Sequence, residues 1–160
     1  MTQRERVSIS EFRLATAPVV LVSYGLGSCL AIALWDGQRQ QGGLAHTLLP
    51  TLRAVPGERQ TKYVDAAIRL MFAALLEKGS DTANLCAKLA GGANMFALSQ
   101  NGHGGIGARN IAAARVALAD IGIDVAAEDV GGDFGRTVEF DLASGALTVR
   151  AARGREDRVL

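Results

Sequence analysis

Two kinds of apolar spacing divide this chain. Residues 19–23 and 30–35 are short runs rich in Val, Ile and Leu on either side of Gly25-Leu26-Gly27-Ser28-Cys29. Runs of that length and composition suit buried strands, and Asp36-Gly37 supplies a turn to close the second. Residues 42–49 read as a third strand, stopped by Pro50. From Thr61 the spacing becomes helical: Val64, Ile68, Met71 and Leu75 share one face, and Gly79 is placed to end the helix. Residues 85–90 return to a strand that runs into a glycine-rich loop. Ile111, Ala114, Leu118 and Ile121 define a second helix stopped by Gly122, and residues 125–130 form another strand. Residues 137–142 place Val138, Phe140 and Leu142 inward, Ser144-Gly145 makes a tight turn, and Leu147 and Val149 return, which is a β-hairpin.

The order is three strands, helix, strand, helix, strand, hairpin. It predicts an α/β sandwich with a mixed sheet and two main helices rather than a regular βαβ repeat. No internal repeat and no linker divides the chain, so one domain over residues 1–160 is expected, with its core at about 10–150 and a short polar N-terminus. The charge run from Arg153 to Arg158 reads as a solvated, frayed tail. Residues 14–35 carry no charge and are long enough to cross a bilayer, but Pro18, Ser23, Gly25, Gly27 and Ser28 would break such a helix in its middle. Two short strands around a turn are expected instead.

Composition narrows the partners. A formal net charge of +1 leaves no basic surplus for phosphates and no acidic excess. Nucleic acid and membrane surfaces are therefore poor fits. Two cysteines, Cys29 and Cys86, do not make a disulfide framework in 160 residues. With no apolar segment behind the charged N-terminus to act as a secretory signal, a reducing, cytoplasmic setting is expected.

The candidate chemistry centres on Cys29. Glycines before it let the backbone turn sharply and leave N–H groups of the Gly25, Gly27 and Ser28 segment unshielded near sulfur, as an oxyanion hole requires. The alternative is a small apolar residue opening a buried strand. His46, among small and apolar residues, is either a satisfied core histidine or the base that raises the thiolate fraction of a nearby cysteine. A reactive Cys29 would sit in an open cleft and be alkylated ahead of Cys86, which reads as core. Two other patterns are weaker. Gly102, Gly104 and Gly107 spell G-x-G-x-x-G, but Gly91 to Asn101 separate them from the preceding strand, unlike a dinucleotide fingerprint. Cys29, His46, Cys86 and His103 are zinc-ligand types without the local pairing of a zinc site, so no metal is expected. Arg109, Asn110 and Arg136 are read as rim or structural residues, explained by capping and ion pairing.

Five segments occur in order: Leu-Gly-Ser-Cys at 26–29, Ala-His-Thr-Leu-Leu-Pro at 45–50, Gly-Gly-Ala-Asn-Met-Phe at 91–96, Ile-Gly-Ala-Arg-Asn at 106–110 and Glu-Asp-Val-Gly-Gly-Asp-Phe-Gly-Arg at 128–136. Together they resemble the CheD family of chemoreceptor glutamine deamidases, over about residues 10–150. The resemblance implies a fold similar to the catalytic domain of cytotoxic-necrotizing-factor-type deamidase toxins, with a Cys–His–Thr triad acting on protein-bound glutamine and no cofactor. Cys29 and His46 match the first two members. The third falls on Ser23, where the family usually has threonine. The implied partners are methyl-accepting chemotaxis receptors and a CheC-type phosphatase, the latter supporting an alternative role as a binding module.

Overall fold

The computed structural model describes residues 2–95 and 105–160. In chain order its elements are β1 (Arg4–Arg6), β2 (Glu11–Thr16), β3 (Val20–Leu26), β4 (Leu30–Asp36), β5 (Gln41–Thr47), α1 (Val64–Glu77), β6 (Leu85–Gly91), α2 (Ile106–Asp120), β7 (Val125–Val130), β8 (Arg136–Asp141), β9 (Leu147–Ala151) and β10 (Arg158–Val159). The strands form two five-stranded sheets, ordered β1-β3-β8-β9-β10 and β2-β5-β4-β6-β7. Both are mixed: β1 runs parallel to β3 and β6 parallel to β7, while the other pairings are antiparallel.

Three layers follow from the alternation of side chains along β4. Leu30, Ile32 and Leu34 point to α1 and α2, where they meet Val64, Ile68, Met71, Ala114 and Leu118. Ala31 and Ala33 point the other way, toward Leu21, Leu26, Val138 and Phe140 of the first sheet. A strand buried on both faces reads as an unbroken apolar run, and small residues on the sheet-to-sheet face let the two sheets approach. At one end of β4, buried Asp36 accepts from Ser80 Oγ at 2.7 Å, and Ser80 in turn accepts from Gln41 Nε2 at 2.7 Å. The other end of β4 opens on Cys29.

The predicted α/β sandwich and its two helices are found, with differences at the edges. The charge-free stretch 14–35 is strand and loop, and no helix among the described residues is long and apolar enough to cross a membrane. Both termini carry strands where lead-in and fraying were expected. Arg4–Arg6 pairs with Val20–Val22, and Arg158–Val159 pairs with Thr148–Val149. Such short, charged edge strands have no periodicity of their own, because the neighbouring strand supplies their register. Helix α2 starts at Ile106, a turn ahead of its apolar periodicity, since its first buried positions are Gly107 and Asn110 rather than large apolar residues.

Candidate active site

Strand β3 runs through Ser23 to Leu26, beyond its predicted end, because a bulge keeps it paired. Ser23 pairs with Val138 and Leu26 with Arg136, so β3 carries one extra residue there. Gly25, at φ +71°, takes the left-handed backbone that the bulge requires. It lies within a strand rather than in the turn the sequence suggested. The bulge keeps Ser23 on the inner face with Leu21 while freeing the chain to leave toward Cys29.

His46 sits in β5 opposite Ala31 of β4 and Glu11 of β2, and it projects across the sandwich toward β3. Its Nδ1 lies 2.8 Å from Ser23 Oγ. That same hydroxyl is 2.7 Å from the carbonyl oxygen of Val7, to which it can only donate. One hydroxyl has one proton. With that proton on Val7 O, Ser23 Oγ accepts from His46, so Nδ1 carries the imidazole hydrogen and Nε2 presents its lone pair. Nε2 is buried and has no hydrogen-bond partner among the described residues. Burial, with a smaller contribution from the charge of Arg6, lowers the imidazole pKa to about 4. His46 is therefore a neutral base of defined tautomer at ordinary pH.

Cys29 immediately precedes β4, two residues before Ala31, the register partner of His46. Cys29 and Ala31 belong to the same buried cluster between the sheets. Continued past Leu30, the β4–β5 register places Cys29 diagonally from His46 on that face, although the thiol makes no hydrogen bond to Nε2. Cys29 is 7% exposed, and burial raises its thiol pKa despite an opposing contribution from its own backbone N–H. The resting pair is thus neutral thiol and neutral imidazole. The expected open cleft is corrected here: Cys29 is buried, and Cys86, expected in the core, is the more exposed thiol. Cys86 pairs with Trp35 at the far end of β4, well away from Cys29.

The loop before Cys29 is held by its carbonyls. Gly27 O accepts from Ala93 N at 2.9 Å, Cys29 O from Gly92 N at 2.8 Å, and Ser28 O from Asn110 Nδ2 at 2.9 Å. Among the described residues, the N–H groups of Gly27 and Ser28 donate to no backbone carbonyl. Carbonyls turned into the protein let neighbouring N–H groups face the other way, the arrangement that oxyanion sites use. Gly91 makes this possible: at φ +109°, a Cβ there would stand 2.4 Å from Cys29 O.

The remaining candidates fall elsewhere. Arg136 is buried; it donates to Gly131 O at 2.9 Å and to Gly91 O at 3.3 Å, and pairs with Asp129 at 3.0 Å. It ties the two sheets together behind the loop, as the ion-pair reading expected. Arg109 is exposed on α2. Gly102, Gly104 and His103 lie outside the described residues, while Gly107 is inside α2. Among the described residues no group of three or more His, Cys, Asp or Glu side chains is placed to hold a metal ion. Sequence reasoning missed Val7, whose contribution is a backbone carbonyl and leaves no residue signature, and it read Asn110 only as a rim or capping residue.

Comparison with known proteins adds the lineage. The chain matches the family model described as CheD chemotactic sensory transduction over residues 48–151. It is 55% identical over 148 residues to the probable chemoreceptor glutamine deamidase CheD 2 of Geobacter metallireducens, covering 91% of each chain. It is 37% identical over 150 residues to the probable chemoreceptor glutamine deamidase CheD of Haloarcula marismortui, covering 94% of this chain and 86% of that one. Among solved structures, a hypothetical protein of Bacillus licheniformis, YfiH, aligns with a TM-score of 0.48 at 13% identity, over 74% of this chain and 49% of that one. With a family match across most of its length and relatives this similar end to end, the chain belongs to the CheD family.

Proposed function

We propose that this protein is a glutamine deamidase acting on chemoreceptors, converting glutamine side chains to glutamate by a Cys29 thioester mechanism. The observation that carries the mechanism is the relay from His46 Nδ1–H to Ser23 Oγ and from Ser23 O–H to Val7 O, which leaves the Nε2 lone pair without a partner among the described residues. The substrate class is supported by the names of the relatives.

Cys29 Sγ attacks the carboxamide carbon of a bound glutamine as its proton passes to His46 Nε2. Because both groups are neutral at rest, proton transfer accompanies attack rather than preceding it. The carbonyl oxygen becomes an oxyanion facing the N–H groups of the Gly27–Cys29 loop. As the C–N bond breaks, Nε2–H delivers its proton to the departing amine and ammonia leaves. Water then attacks the thioester, giving its proton to Nε2; collapse returns the thiol and releases glutamate. Ser23 keeps Nδ1–H engaged throughout and holds Nε2 toward the reacting atoms. The imidazolium has a hydroxyl rather than a carboxylate behind it, so it is transient in this buried setting.

The test is mass spectrometry of a receptor signalling domain incubated with the purified protein. Site-specific gain of about 1 Da per converted glutamine is expected with wild type and not with Cys29→Ala. Equal conversion by the two proteins would refute the mechanism.

A further inference from the structure

Helix α2 sends one side chain into the space between the two segments that carry the thiol and the imidazole. Asn110 is fully buried, and its Nδ2 donates to Ser28 O at 2.9 Å and to Leu48 O at 3.1 Å. Ser28 immediately precedes Cys29, and Leu48 follows His46 by two residues. The β4–β5 ladder that otherwise keeps these segments in step ends at Leu30 and Thr47. Beyond that point, among the described residues, the carboxamide of Asn110 bridges them.

Its orientation is determined by chemistry. Both partners are carbonyl oxygens, so the NH2 end must face them, and turning the amide over would set Oδ1 against two acceptors. Oδ1 is left buried with no partner among the described residues. A half-satisfied buried carboxamide is a costly choice for simple packing, where an apolar residue would leave no orphan of its own. The fork of two N–H donors is what the site retains. Asp has the same shape without donors, and Ser has one donor on a shorter arm. Helix α2 is also pressed against the loop: a Cβ on Gly107 would stand 2.4 Å from the carbonyl oxygens of both Gly92 and Ala93. Those residues are the ones whose N–H groups hold Cys29 O and Gly27 O.

We propose that Asn110 is a positioning residue for the deamidation, setting the spacing between the Cys29 thiol and the His46 imidazole through the backbone that carries each. The proposal rests on the Cys29–His46 mechanism above. Without the fork, Ser28 and Leu48 carbonyls separate toward water, and a displacement on the order of 1 Å at a reacting atom can cost about 100-fold in rate.

The experiment compares wild type, Asn110→Ala, Asn110→Ser and Cys29→Ala on one receptor substrate, with Ser80→Ala as a control that removes buried hydrogen bonds at the opposite end of β4. Thermal melts establish that each variant is folded at the assay temperature. Expected for Asn110→Ala is a fall in kcat of about 100-fold with KM within about threefold of wild type, and a smaller fall for Asn110→Ser. Ser80→Ala loses stability but keeps kcat. The ratio of Cys29 to Cys86 alkylation rates should change in Asn110→Ala and stay constant in Ser80→Ala, because general loosening would move both thiols together. Wild-type kcat in a folded Asn110→Ala overturns the proposal. So does failure of both Asn110 variants to fold, which would make the residue a core strut. Full turnover by Cys29→Ala would instead refute the underlying mechanism, whereas inactive Cys29→Ala beside fully active Asn110→Ala refutes the role of Asn110 alone.

Discussion

Ser23 and His46 stand on facing sheets with Oγ and Nδ1 2.8 Å apart, and the serine proton is already committed to Val7 O. A threonine would present the same hydroxyl with a methyl group that restricts its rotamer. Here the rotamer is restricted instead by complete burial and by two hydrogen bonds. In the proposed mechanism the serine takes the third position of the expected triad, with its geometry supplied by surroundings.

This relationship makes opposite predictions for two substitutions. Ser23→Ala leaves His46 Nδ1 unanchored and frees either tautomer, so kcat should fall on the order of 10- to 100-fold. Ser23→Thr keeps both hydrogen bonds and should stay within about threefold of wild type, with any packing gain offset by crowding at a fully buried site. Turnover of the two variants on one substrate checks this. Wild-type kcat in Ser23→Ala would leave a Cys29–His46 dyad.

The two cysteines should separate cleanly. Cys29→Ala is expected to be inactive and folded. Cys86→Ala, on β6 beside the distant end of β4, should retain turnover and lose about 1 kcal/mol of stability. Chelator treatment of wild type should leave turnover unchanged. An inactive but folded Cys86→Ala would reverse the assignment of the two thiols.

The pH–rate profile follows from the neutral resting pair. Burial lowers His46 to about 4 and raises Cys29, so neither changes charge between about pH 6 and 8. A flat kcat/KM across that window is expected, with the acid limb near His46's lowered pKa and the alkaline limb above the usual thiol range. An acid limb at the ordinary histidine pKa would mean that His46 is solvated in the active form.

Stability should respond to the same burial. His46 has a lower pKa folded than unfolded, so the unfolded chain binds more protons between the two values. Its contribution is neutral above about pH 6.5 and becomes destabilising as pH falls toward 4, by up to about 3 kcal/mol. Glu58 and Glu139, whose carboxyls are held low by hydrogen bonds from Lys62 and Arg4, act in the same direction, so the measurement is a difference. Urea midpoints of wild type and His46→Gln at pH 7 and 4.5 should show the steeper acid loss in wild type.

Gly91 offers a backbone test. Its φ of +109° and a prospective Cβ contact of 2.4 Å with Cys29 O make Gly91→Ala both strained and overpacked. A loss of more than about 2 kcal/mol, with turnover falling as the Cys29 loop shifts, is expected. Thermal melting and kcat measured on the same preparation check it; unchanged values for both would mean that the loop does not depend on this close approach.

Much of the fold was legible along the chain because its central elements carry strong periodicity. Val64, Ile68, Met71 and Leu75 share one face of α1, and Val138, Phe140, Leu147 and Val149 face the core from the hairpin. Local spacing dictates such faces before any partner is known. Cys29 and His46 stood out for a related reason: glycine-rich and small-residue neighbours around a thiol and an imidazole limit what those segments can be. The edge strands Arg4–Arg6 and Arg158–Val159 were not legible, since charged edge residues become strands only when a neighbour supplies hydrogen bonds. Nor was the state of the site. That Cys29 is buried, that Ser23 gives its proton to Val7 O, and that Asn110 spans Ser28 and Leu48 are consequences of three layers meeting at one end of β4. The sequence by itself determined which residues could react and which faces had to be buried, because these are properties of side chains and their spacing. Only the tertiary structure decided tautomer, exposure and relative placement, because each depends on backbone groups brought together from distant parts of the chain.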